Sequence, residues 1–227
     1  MRALTIFFLS LFSLPLMLNA QSVDEMLQKV SAAIEAGQNG QAVSYFRQTI
    51  SLNMDRTEMY YWTSVDKNSE ISSKLAVELA LAYKKQRNFD KAYLFYKELL
   101  QKSPNDVDYL EACAEMQVCR GQEKDALHMY EKILQLEPEN LAANIFLGNY
   151  YYLMAEREKK QLDTDYKKIS SPTKMQYARY RDGLSKVFSS GYQKARDSLQ
   201  KVILRFPSTE AQKTLDKILR IEKEVSR

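Results

Sequence analysis

The stretch "NFDKAYLFYKELLQKSPN", Asn88 to Asn105, is written a second time as "QEKDALHMYEKILQLEPEN", Gln122 to Asn140. Ala92 falls on Ala126, Tyr96 on Tyr130 and Pro104 on Pro138, at a constant interval of 34 residues. Leu99 and Leu100 fall on Ile133 and Leu134, and upstream Leu79, Ala80 and Tyr83 share offsets with Cys113, Ala114 and Gln117. A fixed period of this length marks a repeat architecture, in which one unit cannot bury its own apolar face but a stack of units can.

Each unit reads as helix, tight turn, helix, stop. From Leu75 to Gln86 the apolar residues Leu75, Leu79, Ala82 and Tyr83 recur at helical spacing. Arg87-Asn88 interrupts that helix, and Asn88 suits the N-cap of the next. The following helix, Phe89 to Lys102, turns Ala92, Phe95, Tyr96, Leu99 and Leu100 to one side. Pro104 ends it, because proline cannot continue a helix and biases Ser103 away from helical angles. Ala80 and Ala92 are small enough to let the two helices approach closely.

These residues resemble a tetratricopeptide repeat. The family's Leu, small residue and Tyr on the first helix correspond to Leu79, Ala80 and Tyr83; its Ala, aromatic and Pro on the second correspond to Ala92, Tyr96 and Pro104. The next unit supplies Cys113, Ala114, Gly121, Ala126, Tyr130 and Pro138. The large aromatic that opens the family's first helix is missing, since Ala76 and Leu110 stand there. The resemblance implies an all-α solenoid of about four helical hairpins, with repeats at 73–106 and 107–140. A degenerate hairpin is expected at 21–54, with Val30, Ala33, Gly37, Ala42 and Phe46 at the family offsets and Met54 in place of the proline. A connector at 55–72 follows, with a short helix opened by an Asp55–Glu58 capping box and closed by a turn at Asp66-Lys67-Asn68.

After Pro138 the pattern restarts at Leu147, Gly148 and Tyr151 but closes late, at Tyr192, Ala195, Leu199 and Pro207. The step from Pro138 to Pro207 is 69 residues, one unit too long. An expanded hairpin is therefore expected over 141–207, its first helix overrunning, turning near Ser170-Ser171-Pro172 and returning from Lys174 to Phe188. Residues 208–227 form a capping helix with Leu215, Ile218, Leu219 and Glu222 in one stripe, as a solenoid needs to shield its last apolar face.

Composition agrees with a folded helical chain. Of 227 residues, 45% are hydrophobic and 27% charged, while six Gly and five Pro are too few for a turn-rich β fold. The N-terminus is different in kind: Met1-Arg2, an apolar run from Ala3 to Leu18, then Asn19-Ala20. That is the pattern of a secretory signal peptide over 1–20, cleaved near Ala20, which places the protein in the periplasm or outside the cell; the alternative is an N-terminal membrane anchor. Together with the expanded last unit, this makes the chain similar to exported repeat proteins of Gram-negative bacteria such as the Bacteroidetes. Cys113 and Cys119, six positions apart on one helix, lie about 9 Å apart along its axis, so two buried free thiols are expected rather than a disulfide.

No reaction chemistry emerges. His128 is the sole histidine, so no catalytic set or metal site that needs a further histidine can be built from it. Three S-x-x-K matches, at Ser64, Ser171 and Ser198, lack the companion motifs of an acyl-enzyme, and no phosphate-binding glycine loop is present. No cofactor, metal or catalytic residue is expected. The segment 157–182 holds eight Lys/Arg against four Asp/Glu, with Tyr166, Tyr177 and Tyr180 interleaved. It reads as a solvated helical hairpin or as a grip on an anionic lipid or wall polymer at the cell envelope; an export signal argues against nucleic acid.

The family resemblance also implies a concave groove lined from first-helix offsets: Lys74, Val77, Leu81, Lys84 and Lys85; Asp108, Glu111, Glu115 and Val118; Ala142, Ile145, Asn149 and Tyr152. The carboxylate clamp of some members is not implied, because Val77 and Leu81 replace the Lys and Asn it requires. In "NYYYLM", Asn149 to Met154, three successive tyrosines stand 100° apart and cannot all face one core. The expected function is to hold a protein or peptide in that groove without catalysis.

Overall fold

The computed structural model describes residues 22–226, which are helical between short turns and contain no strand among the described residues. The expected signal peptide, 1–20, lies outside them. The chain divides into two units, one ending at Ala82 and the other beginning at Tyr83.

In the first unit, α1 (Val23–Glu35) starts at a capping box in which Ser22 and Glu25 satisfy each other's backbone N–H groups. It pairs with α2 (Asn39–Leu52), burying Met26, Leu27, Val30 and Ala33 with Ala42 and Phe46. A single residue, Asn53, then ends α2 and begins α3 (Met54–Ser64), its side chain accepting from the Arg56 N–H at 2.9 Å. The expected capping box at Asp55–Glu58 is thus displaced: Asn53 has the extended backbone a cap needs, whereas Asp55 already lies within the helix. α3 packs on α1 and α2, buries Tyr61, and ties Tyr60 to Ser31 through a 2.8 Å hydroxyl pair. The expected connector is therefore mostly helix. After it, Asp66 accepts from the Asn68 and Ser69 backbone N–H groups, and α4 (Glu70–Lys85) begins three residues before the expected 73. Ser72, fully buried, donates its hydroxyl to Ser69 and Lys67 carbonyls and so fixes that early start.

The second unit holds α5 (Phe89–Lys102), α6 (Val107–Cys119), α7 (Glu123–Leu136), α8 (Leu141–Lys167), α9 (Lys174–Val187), α10 (Gln193–Arg205) and α11 (Thr209–Val225). Asn88, Asp106, Asn140, Thr173 and Ser208 each cap a helix with a side-chain oxygen. Ala114 of α6 and Ala126 of α7 are fully buried in one cluster with Leu110, Tyr130 and Ile133, the close crossing that the alanines allow. α8 pairs with α10, and Gly148 lets them meet: a Cβ there would stand 2.8 Å from the Leu199 side chain.

Beyond Ala155, the last buried residue of α8, the helix runs on to Lys167, and the chain returns as α9. No break separates α9 from α10; they join through a π-helical turn, Phe188–Tyr192. The same contact measures the insertion. Lys132 donates to the Pro104 carbonyl 28 residues away, and Lys201 to the Pro138 carbonyl 63 residues away, 35 more.

α11 buries Ala211, Leu215 and Ile218, and Glu222 pairs with Arg196 at 2.5 Å. Leu219, expected in the buried stripe, is exposed, because one step past Ile218 turns it 100° away. The expectation of two buried thiols also fails for one of them: both cysteines are free, but only Cys113 is buried and Cys119 is exposed. Six residues on a helix amount to a rotation that leaves them about 120° apart, so they cannot share a face.

Candidate functional site

Helix α8 carries apolar residues on two faces. Ala143, Asn144, Leu147, Gly148, Tyr151 and Ala155 are buried. Ala142, Ile145, Phe146, Asn149, Tyr150, Leu153, Met154 and Arg157 follow the i, i+3, i+4 rule along another side. With Tyr130 and the first turn of α7, Glu123 and Lys124, this second row lines an open groove of about 690 Å³.

Its wall is an aromatic ladder. The Tyr130 and Phe146 rings stack at 4.4 Å between centroids, and Phe146 and Tyr150 at 5.7 Å. Ile145 and Leu153 are 41% and 52% exposed beside it and extend the apolar surface of the wall. Burial, then the nearby Glu111 and Glu115 carboxylates, push the Tyr130 phenol up to about 12, so it stays neutral. Charge is confined to the groove's edges, at Glu123, Lys124 and Arg157.

The expected groove residues divide between the two units. In the first, Lys74 is exposed and paired with Glu70 at 2.6 Å, Val77 is half-buried, and Leu81 is exposed. In the second, Lys84 and Glu115, both part-exposed, form a 2.6 Å ion pair with each other. Lys85 and Asp108 are exposed, Glu111 faces the Asn140 amide at 3.5 Å, and Val118 packs on the core. Of the expected row, Ala142, Ile145 and Asn149 line the 690 Å³ groove. Tyr152 does not: its ring lies edge-on to Tyr192 at 6.1 Å. The three tyrosines thus separate as their 100° steps demand, Tyr150 to the groove, Tyr151 to the core with its hydroxyl donating to Glu131 at 2.5 Å, and Tyr152 toward Tyr192. Phe146, Tyr150, Leu153, Met154 and Arg157 were not among the expected residues. Their signal was available in the series Phe146, Tyr150, Met154, spaced by four on the side away from Leu147 and Tyr151.

The basic segment folds as the outer ends of α8 and α9. Tyr166 and Tyr180 stack at 4.3 Å, and Tyr180 donates to Asp163 at 2.7 Å. Burial would raise the Asp163 carboxyl, but the hydrogen bonds from Lys159 and Tyr180 override it and hold the group below its ordinary value. Arg181 donates to the carbonyls of Glu224 and Val225, joining α9 to α11.

Among the described residues, no group of three His, Cys, Asp or Glu is placed to hold a metal, and no helix is long and apolar enough to cross a membrane. His128 stands in solvent, 3.6 Å from Glu131.

A family profile described as tetratricopeptide repeat matches residues 77–106. A crystal structure from Bacteroides ovatus, provisionally described as a protein-binding protein, is 89% identical; the match covers 90% of this chain and all of that one, with a TM-score of 0.82. A tetratricopeptide repeat protein from Parabacteroides merdae is 16% identical over 89% of this chain and 74% of its own, with a TM-score of 0.40. A TPR repeats protein from Bacteroides fragilis is 11% identical over 88% and 99%, with a TM-score of 0.39. No curated protein matches.

Proposed function

The chain belongs to the tetratricopeptide repeat family, of the type found in Bacteroidetes, and from that premise we propose that it is an interaction scaffold that holds an apolar protein segment in the α8 groove and catalyses nothing. The family and the protein-binding description of its Bacteroides ovatus relative support a protein-interaction role. One observation carries the choice of surface: the part-exposed Phe146 and Tyr150 rings, stacked outward from buried Tyr130, lie beside half-exposed Ile145 and Leu153. Covering such a surface gains about 25 cal/mol for each Å² of apolar area removed from water. The helices already fix the groove, so binding costs little ordering of the scaffold itself.

A crosslinker placed at Asn149 should capture one specific partner. Ile145→Arg with Leu153→Arg should weaken that capture at least about tenfold at unchanged helicity, because each buries a charge against apolar surface. Capture that survives both substitutions removes the groove as the binding surface.

We further propose that the scaffold works after export, on the strength of the Arg2, Ala3–Leu18, Ala20 pattern. Mass spectrometry of the native protein should find Gln21 at its N-terminus; an intact Met1 would mean an anchored form.

A further inference from the structure

The α8–α9 hairpin extends about 18 Å past Ala155, counting 1.5 Å for each residue to Lys167. Its acidic side chains are largely spoken for within the hairpin. Asp163 bonds Lys159 and Tyr180, Asp165 bonds Lys168 and Gln161, and Asp182 bonds Lys186. Lys167, Lys174 and Arg179, all exposed near the tip, form no ion pair with a carboxylate among the described residues, although Lys167 stands near enough to Asp163 to help hold its carboxyl ionised. Between them Met175 and Tyr177 are 66% and 52% exposed. The tip therefore presents an excess of positive charge together with apolar side chains that stand largely in solvent, Met175 beside the Arg179 guanidinium and Tyr177 beside the Tyr166 ring.

We propose that this tip docks on an anionic lipid bilayer, the cations at the headgroups and Met175 and Tyr177 in the interfacial layer. This surface is separate from the groove and does not depend on it. Charge complementarity selects an anionic partner, and the apolar side chains at a convex tip select a bilayer, where Tyr rings and thioethers gain from burial. Single-stranded nucleic acid would require free ring faces to stack its bases. Tyr166 and Tyr180 are half-buried and stacked on each other at 4.3 Å and 16°, so of the three tyrosines only Tyr177 is largely exposed, and one ring makes no platform for successive bases.

The test is co-sedimentation of the full chain with vesicles of phosphatidylglycerol and phosphatidylethanolamine, against vesicles of phosphatidylcholine alone. Binding to the anionic vesicles should exceed binding to the neutral ones and fall with added salt. Each cation near an anionic surface is worth about fivefold in affinity, so Lys167→Glu/Lys174→Glu/Arg179→Glu should lose at least about a hundredfold. Met175→Ser/Tyr177→Ser should lose affinity with charge unchanged. Both variants leave the core untouched, and an unaltered circular dichroism spectrum would confirm their fold. Ile145→Arg/Leu153→Arg should keep vesicle binding, so the fates of the groove and of the tip are read separately. Wild-type affinity in the triple reversal overturns the proposal. So does displacement of the vesicles by a single-stranded oligonucleotide at equal phosphate concentration.

Discussion

Arg87 occupies a backbone position that glycine fills in the two matching turns. Gly37, Arg87 and Gly121 have φ of 68°, 60° and 73°, in the left-handed region. Each turn is closed by the same long bond: Gln38 N–H to Ala33 O at 2.8 Å, Asn88 N–H to Tyr83 O at 2.9 Å, and Gln122 N–H to Gln117 O at 2.8 Å. This is the Schellman closure, which satisfies carbonyls that a helix end leaves bare. A residue with a Cβ pays about 1 kcal/mol there, part of which glycine returns through its greater freedom when unfolded. Arg87→Gly should therefore stabilise the protein by about 0.5 kcal/mol, read as a higher urea midpoint; a lower midpoint would contradict the turn geometry. The sequence shows a break at Arg87-Asn88 because the apolar period stops there. It does not show the sign of φ, since arginine is a poor marker for that conformation.

The π-helical turn lets the expanded hairpin rejoin the repeat. One extra residue per turn between α9 and α10 shifts the phase of the helix, so that a solvated hairpin outside becomes a buried stripe of Tyr192, Ala195, Leu199 and Val202 inside. Gly191 is required at the crossing, because a Cβ there would stand 2.6 Å from the Ala155 Cβ and 3.2 Å from the Tyr151 carbonyl. Neither neighbour is a flexible side-chain end. Gly191→Ala should cost about 1–3 kcal/mol in overpacking, measured by denaturant unfolding, and a neutral result would mean the two helices are not in contact at that level. The late arrival of Pro207 announces an insertion in the sequence. Nothing there announces the unbroken passage from α9 to α10, because a π turn has no residue signature of its own and Gly191 reads as ordinary helix punctuation.

For the molecule as a whole, tyrosines placed at the edges of the core give stability a dependence on alkaline pH. Burial, reinforced by the Glu115 carboxylate, pushes Tyr96 from 10.0 to about 12. Tyr130 moves to about 12 through burial with Glu111 and Glu115, and Tyr180 to about 12 through burial and its bond to Asp163. A raised phenol pKa means that the folded state favours the protonated form. The contribution is thus complete below pH 10 and is lost as the pH climbs from 10 toward about 12. Denaturant midpoints should fall across that window while phenolate absorbance lags behind that of free tyrosine. Midpoints that stay level through it would show these rings to be freely solvated.

The 34-residue period, the alanines and the prolines determined the helical hairpins, because helix spacing, close crossing and termination are local properties that a few residues impose on their own neighbours. The residue count determined separately that these 227 residues, with one histidine, hold no site built from several histidines of their own. Which face of α8 closes and which stays open was decided only in the tertiary structure. The helix is apolar on both, Leu147 and Tyr151 on one and Phe146 and Tyr150 on the other, and burial goes to the face that α10 reaches. The same holds for the charges of the hairpin: composition shows the excess of lysine and arginine, but only the folded pairing shows which of them the protein has left unmatched.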